Sequence, residues 1–291
     1  MKVRLLTGTI IVFLLFLIIT ACTTVQPDID NPLVPVEKSK PIYVGPVIGY
    51  NKTMHTVDLL TFEDPTQLCK PFESGGSNGF YAGISFEYLL GDVKASQSSI
   101  IGRILFNSMP AFMEREQDDY PTLVRDPFCE TCLIPIRTST KHEAEVTYNL
   151  LTAEVCYKLN PIPKVPLGIT IGPTFDFPIS TKIYQTYKLI GDPLNAQFRG
   201  PITQEEIDLW ISKGWKLIEN DRTILIQDGP IKEANPLRLG LKVGIQYEII
   251  TGTQMYIVPA VYYNLGILKV TSKDDWWVNA IQIGVDVRWA L

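Results

Sequence analysis

The stretch Leu237-Arg-Leu-Gly-Leu-Lys-Val-Gly-Ile-Gln-Tyr-Glu-Ile249 alternates strictly, with apolar residues on one face and small, polar or charged residues on the other. A period of two marks a β-strand whose faces meet different surroundings. The alternation resumes with Met255, Ile257, Val261, Tyr263 and Leu265 against Gln254, Tyr256, Ala260, Tyr262 and Asn264. It returns in Ile281, Ile283, Val285, Val287, Trp289 and Leu291 against Gln282, Gly284, Asp286, Arg288 and Ala290. Three successive antiparallel strands are predicted between Pro236 and Leu291.

Alternation alone does not say which face looks inward. A soluble barrel fills its interior with bulky apolar side chains, whereas a membrane-spanning barrel turns them toward lipid. Two features favour the second arrangement. The polar face carries Gly240, Gly244, Gly266 and Gly284, which relieve crowding in a narrow lumen and would serve poorly on a solvated strand. It also carries charges of both signs, Arg238, Lys242, Glu248, Asp286 and Arg288, as expected if they pair across an enclosed space.

The same dyad recurs upstream. Pro41 to Tyr50 sets Val44, Ile48 and Tyr50 against Gly45 and Gly49, and Gly79 to Leu90 sets Phe80, Ile84 and Phe86 against Tyr81, Gly83 and Glu87. A third strand sets Ile100, Ile104 and Phe106 against Ser99, Arg103 and Asn107; a fourth runs from Glu143; a fifth sets Ile169, Ile171 and Phe175 against Thr170, Gly172 and Asp176. Long connections follow the first, third (Gln117 to His142) and fifth (Gly191 to Asn235), and short ones the second, fourth and sixth. The predicted fold is all-β: an eight-stranded antiparallel up-and-down transmembrane β-barrel with long extracellular loops, one carrying a short helix. That helix is placed at 203–213, where Thr203 and Glu206 have capping-box spacing ahead of an Ile207, Trp210, Ile211 stripe. Trp215, Trp276, Trp277 and Trp289 are candidates for interfacial belts. Pro46, Pro173 and Pro259 fall inside proposed strands and should mark bulges or strand ends, because a closed barrel has no free edge for a missing N–H donor.

The chain has 291 residues, 46% hydrophobic and 20% charged, and its net charge of −5 leaves no electrostatic footprint for nucleic acid. Lys2 and Arg4 precede an apolar run from Leu5 to Ile19, the layout of a signal peptide over 1–21. Ile19-Thr20-Ala21-Cys22 resembles the bacterial lipoprotein signal, which implies lipidation of Cys22; ordinary cleavage near Ala21 and an uncleaved anchor are the other readings. Residues 22–40, with prolines and no periodicity, read as a linker from this anchor to the barrel at 41–291. No later segment offers the ~20 apolar residues of a spanning helix.

The repeated dyads over Pro41 to Leu291, and above all Asn279-Ala-Ile-Gln-Ile-Gly-Val-Asp-Val-Arg-Trp-Ala-Leu291, resemble the small outer-membrane β-barrels of the OmpA/OmpX type and porin-like barrel domains. The resemblance implies an outer-membrane location with a periplasmic N-terminus, outer-membrane lipid and the barrel-insertion machinery as partners, and a structural, adhesive or minor-channel role without catalysis or cofactor. Where that family commonly closes on an aromatic residue, this chain has Leu291 with Trp289 before it.

Strand parity directs Glu87, Asp176, Glu248 and Asp286 inward together with Arg103, Arg238, Lys242 and Arg288, four of each sign. An eight-stranded interior is about wide enough to be filled by side chains, so a packed polar core is expected rather than an ion pathway. Cys129-Glu-Thr-Cys132 is expected to form a loop disulfide, within the pair or to Cys69; a metal site would need Cys69, Cys156 or His142 as further ligands. His55 and His142 are the only histidines and are expected to be solvated at loop bases. Two alternatives stand beside the main reading. One is a lipid-anchored, soluble lipocalin-like barrel for a hydrophobic ligand. The other is a barrel lipid hydrolase using His142 near Ser139 and Glu143, although no G-x-S-x-G elbow accompanies them.

Overall fold

The computed structural model describes residues 40–58, 72, 74–93, 96–126, 128–162, 165–191, 196–198, 203–251, 254–273 and 275–291. The expectations for the signal, Cys22, the linker before residue 40 and Cys69 lie outside them. Among the described residues twelve strands and one helix follow in order: β1 (Ile42–Asp58), β2 (Ser74–Leu90), β3 (Ser98–Ser108), β4 (Ala111–Asp126), β5 (Cys129–Leu159), β6 (Leu167–Leu189), α1 (Gln204–Ser212), β7 (Lys216–Ile218), β8 (Thr223–Pro230), β9 (Arg238–Tyr247), β10 (Ile249–Ile250), β11 (Met255–Gly266) and β12 (Asp275–Ala290). Pairing runs β1 to β2, β2 to β3, β3 to β5, β5 to β6, β6 to β9, β9 to β11, β11 to β12 and β12 back to β1, all antiparallel. The ladder returns to its start, so eight strands form a ring.

Orientation is as the dyads predict. Ile48, Ile84, Ile104, Val155, Ile171, Ile245, Val261 and Ile283, one from each strand of the ring, are exposed on the outer wall. Arg103, Lys158, Asp176, Arg238, Lys242 and Asp286 point inward and are at most 3% exposed. An apolar exterior around an ionised interior is the reverse of a water-soluble barrel and suits a wall bathed in hydrocarbon. It overturns the lipocalin-like alternative, which needs an apolar cavity.

Exposed aromatic rings bracket the apolar band. Tyr88, Tyr157, Tyr247 and Trp289 lie toward the end with the short turns, and Tyr50, Phe80, Phe106 and Phe177 toward the other. Such girdles place amphipathic rings at the two membrane–water interfaces. Of the tryptophans proposed for these belts, Trp289 takes such a place, and Trp277 lies beyond the band with the Lys269 ammonium 5.4 Å from its ring centroid. Trp276 instead points into the barrel, and Trp215 is buried in a loop cluster with Trp210, Phe198, Tyr187 and Ile224.

The largest correction concerns the segment from Gln117 to His142, predicted to be a loop. It is strand on both arms: β4 pairs with the first half of β5 from Ala111↔Val146 to Asp126↔Cys129. The second half of β5 belongs to the ring, and β6 likewise continues past it to pair with β8. Once clear of the hydrocarbon these strands have water outside, so hydropathy no longer alternates although the backbone ladder persists. On their outer face Lys141 lies 3.0 Å from both Glu114 and Glu143, and Lys188 lies 2.6 Å from Glu143. Partial burial works against ionisation of Glu143, but hydrogen bonds from Lys188 and Lys141 hold its carboxyl below the usual range.

Helix α1 forms at the expected place and buries Ile207 and Trp210, but Ile211 is 62% exposed and is not part of the packed stripe. The three prolines mark neither bulges nor ends. Pro46 pairs with Ile84, while on its other side the ladder skips from Val44↔Trp289 to Val47↔Asp286 without changing register. Pro173 pairs with Leu241, and its other side skips from Glu154↔Thr174 to Tyr157↔Ile171. Pro259 pairs with Val285 and lies between the β9 and β10 pairings of β11. Each missing donor falls in a short gap on one side of its strand, which a closed sheet tolerates without slipping.

Candidate functional site

The lumen is the most chemically loaded region among the described residues. Parity on β5, with Leu151, Ala153, Val155, Tyr157 and Leu159 outside, directs Glu154 and Lys158 inward beside the eight charges predicted from sequence. These two were missed although the same alternation discloses them. The interior then holds five acids and five bases: Glu87, Glu154, Asp176, Glu248 and Asp286 with Arg103, Lys158, Arg238, Lys242 and Arg288.

Eight of the ten form one chain of alternating sign: Glu248, Lys158, Glu87, Arg288, Asp286, Arg103, Glu154, Lys242. Arg288 lies 2.5 Å from Glu87, and Arg103 lies 3.1 Å from Asp286 and 3.3 Å from Glu154. The Tyr262 hydroxyl accepts a further hydrogen bond from Arg103 at 2.6 Å, and Ser99 donates to Glu87 at 2.5 Å. Each carboxylate in the chain therefore faces a cation, the condition under which buried charge is tolerated.

The remaining pair, Asp176 and Arg238, closes a second layer toward the loop end. Gln282 donates to Asn51 (2.8 Å), Asn51 to Asn107 (2.6 Å), Asn107 to Thr152 (3.4 Å) and Thr152 to Asp176 (2.6 Å), while Arg238 pairs with Asp176 from the other side. These residues come from β12, β1, β3, β5, β6 and β9, so the donors circle most of the lumen in one direction and end on a carboxylate. Hydrogen bonds aligned in this way polarise one another.

Apolar groups lie at both ends. Toward the short turns, Tyr43 and Tyr256 meet edge to face at 5.0 Å and cluster with Leu89 and Val258. Toward the loops, Met109, Ala144, Val146, Tyr148, Leu150, Ile183, Trp276 and Val278 belong to one cluster. In the middle, the Tyr81 ring lies across Gly49 and Gly284, where a Cβ would overlap the phenol.

Both histidines are buried, against expectation, because their strands run on past the apolar band. His55, beyond the band on β1, accepts from Trp276 Nε1 at 3.0 Å through Nδ1 and places Nε2 3.1 Å from the Met109 carbonyl. Burial, with the Arg238 charge adding to it and the Met109 hydrogen bond opposing, lowers its pKa to about 3. The unfolded imidazole takes a proton near pH 6.5 and the native one does not, so His55 stabilises the barrel fully above that pH and progressively less as pH falls toward 3. Between pH 7.5 and pH 5 the expected loss is roughly 2 kcal/mol. A lower temperature for the heat-induced mobility shift of the unboiled protein on a gel would report it, and His55→Gln should flatten the dependence.

His142 faces inward on β5, 2.7 Å from the Gln185 amide and with its ring tilted 40° against that of Phe72 at 4.4 Å between centroids, while Ser139 and Glu143 share the opposite face. The strand separates the groups that the hydrolase alternative requires to meet. Cys129 and Cys132 are joined by a disulfide next to the β4–β5 tip, with Cα atoms 5.2 Å apart, and Cys156 is a buried free thiol in the lumen. Among the described residues no group of three or more His, Cys, Asp or Glu is placed to hold a metal ion.

No family model and no curated protein matches the chain. Among solved structures it is similar to the Neisserial surface protein A (13% identity, 86% of this chain and 97% of that one, TM-score 0.33). It is also similar to Ail, the attachment invasion locus protein of Yersinia pestis (11% identity, 85% and 98%, TM-score 0.32) and to the outer membrane protein OprG of Pseudomonas aeruginosa (10% identity, 88% and 98%, TM-score 0.30). At these scores the fold assignment rests on the strand pairing and on the direction of the side chains.

Proposed function

We propose that this chain is an outer-membrane β-barrel whose lumen is structural and whose working surface is the strand extension beyond the apolar band, in a structural or adhesive rather than a conducting role. The observation that carries this reading is the filled interior: a sign-alternating chain of eight ionised side chains with apolar clusters toward both ends. Passage of a solute would require separating buried ion pairs, which is strongly unfavourable. Short turns characterise the periplasmic end of such barrels. The first residue of β1 and the last of β12 lie at that end, which favours a periplasmic entry and is compatible with a lipid on Cys22.

In planar bilayers the purified protein is expected to insert without stepwise conductance, and loaded vesicles should not swell. Reproducible single-channel steps that survive removal of residues 192–202 would overturn the reading. Mass spectrometry of the mature N-terminus tests acylation of Cys22 separately.

A further inference from the structure

The outer wall just beyond the apolar band carries a cation, Lys52, that makes no ion pair among the described residues. Lys182 on β6 is also exposed without an ion pair among the described residues, but its register partners Thr147 and Pro230 carry no side-chain amide donor. Four further lysines of this region are neutralised by carboxylates: Lys141 by Glu114 and Glu143, Lys188 by Glu143, Lys269 by Asp275 and Lys273 by Glu233. Lys52 has none of these. It is exposed, two residues past the girdle residue Tyr50 on β1, and its register partners are Asn78 on β2 and the apolar Ile281 on β12. Its ammonium lies 3.3 Å from Asn78 Oδ1, and the same oxygen receives the Tyr50 hydroxyl at 2.6 Å.

The consequence is a small, oriented donor set. With Asn78 Oδ1 engaged twice, its amide nitrogen keeps its N–H donors and the Lys52 ammonium keeps two protons. Tyr50 anchors the pair from the hydrocarbon side. Trp277, four residues before Ile281 on β12, lies on the water side of it. Lys52 and Asn78 therefore sit in the layer between hydrocarbon and water, where lipid phosphates lie and where basic side chains attract anionic lipid.

We propose that Lys52 and Asn78 form a seat for the phosphate of an anionic lipid headgroup in the leaflet on the loop side. The proposal rests on the membrane placement argued above. Tyr50 supplies a rigid flank, and the Lys52–Asn78 contact fixes the ammonium before the lipid arrives, so the seat should retain one headgroup beyond the general lipid annulus.

The test uses the full chain inserted into phosphatidylcholine vesicles doped with phosphatidylglycerol, extracted gently and weighed by native mass spectrometry. The wild-type protein should hold one more phosphatidylglycerol than Lys52→Gln or Asn78→Ala, with phosphatidylcholine retention unchanged. Lys269→Gln, whose charge is already neutralised, should behave as wild type. Equal retention in Lys52→Gln overturns the proposal, as does an equal loss in Lys269→Gln, which would indicate diffuse electrostatics. Occupancy by inorganic phosphate without lipid overturns the lipid source. Unboiled gel migration establishes that each variant is folded, and failure of the wild type to enter vesicles would instead sink the membrane reading itself.

Discussion

Arg238→Met is expected to destabilise the folded barrel by about 3–5 kcal/mol, because it leaves the Asp176 carboxyl buried without its cation. Arg238 is fully buried, pairs with Asp176 and donates to the Val278 carbonyl at 2.8 Å. Removing it also breaks the end of the hydrogen-bonded circuit at the carboxylate. The double variant Arg238→Met with Asp176→Leu should recover much of the loss, since replacing both partners removes the unpaired charge. Urea titration in detergent, followed by unboiled gel migration, would measure both. Equal damage in the single and the double variant would show that the site matters by packing alone and that the ion pair has no special part.

Gly49→Ala should be the second large effect. A Cβ at that position overlaps the Cζ, Cε1 and hydroxyl of Tyr81, with no backbone atom among the nearest neighbours. Overpacking of this kind is worth roughly 1–3 kcal/mol, and a lumen closed by strand pairing on all sides has little room to relax. Because the obstacle is one side chain, Tyr81→Ala should remove it, so Gly49→Ala should cost much less in the Tyr81→Ala background than in the wild type, whatever the cavity left by the tyrosine costs by itself. The same relief should be smaller for Gly284→Ala, whose Cβ would also lie 2.6 Å from the Ile48 carbonyl oxygen. An equal cost of Gly49→Ala in the two backgrounds would refute the account of the glycine as a bed for the tyrosine ring.

Much of this architecture is legible in residue order alone. A strand assigns each side chain to a face by parity, whatever its neighbours are. The outward Ile245 and Ile283 and the inward Lys242 and Asp286 therefore follow from alternation, and so do Glu154, Lys158 and the inward Trp276, which shares its parity with Gln282. Parity says nothing about which strands adjoin. That Arg103 meets Asp286, 183 positions away, depends on closure of the ring between β1 and β12. The β4–β5 extension was hidden for a different reason. Beyond the hydrocarbon the outer face meets water, so hydropathy stops alternating, while the ladder continues on backbone hydrogen bonds that no side-chain pattern records. The sequence alone thus determined which way the side chains face. Tertiary structure decided partners and length, because those depend on strand pairing between residues distant along the chain.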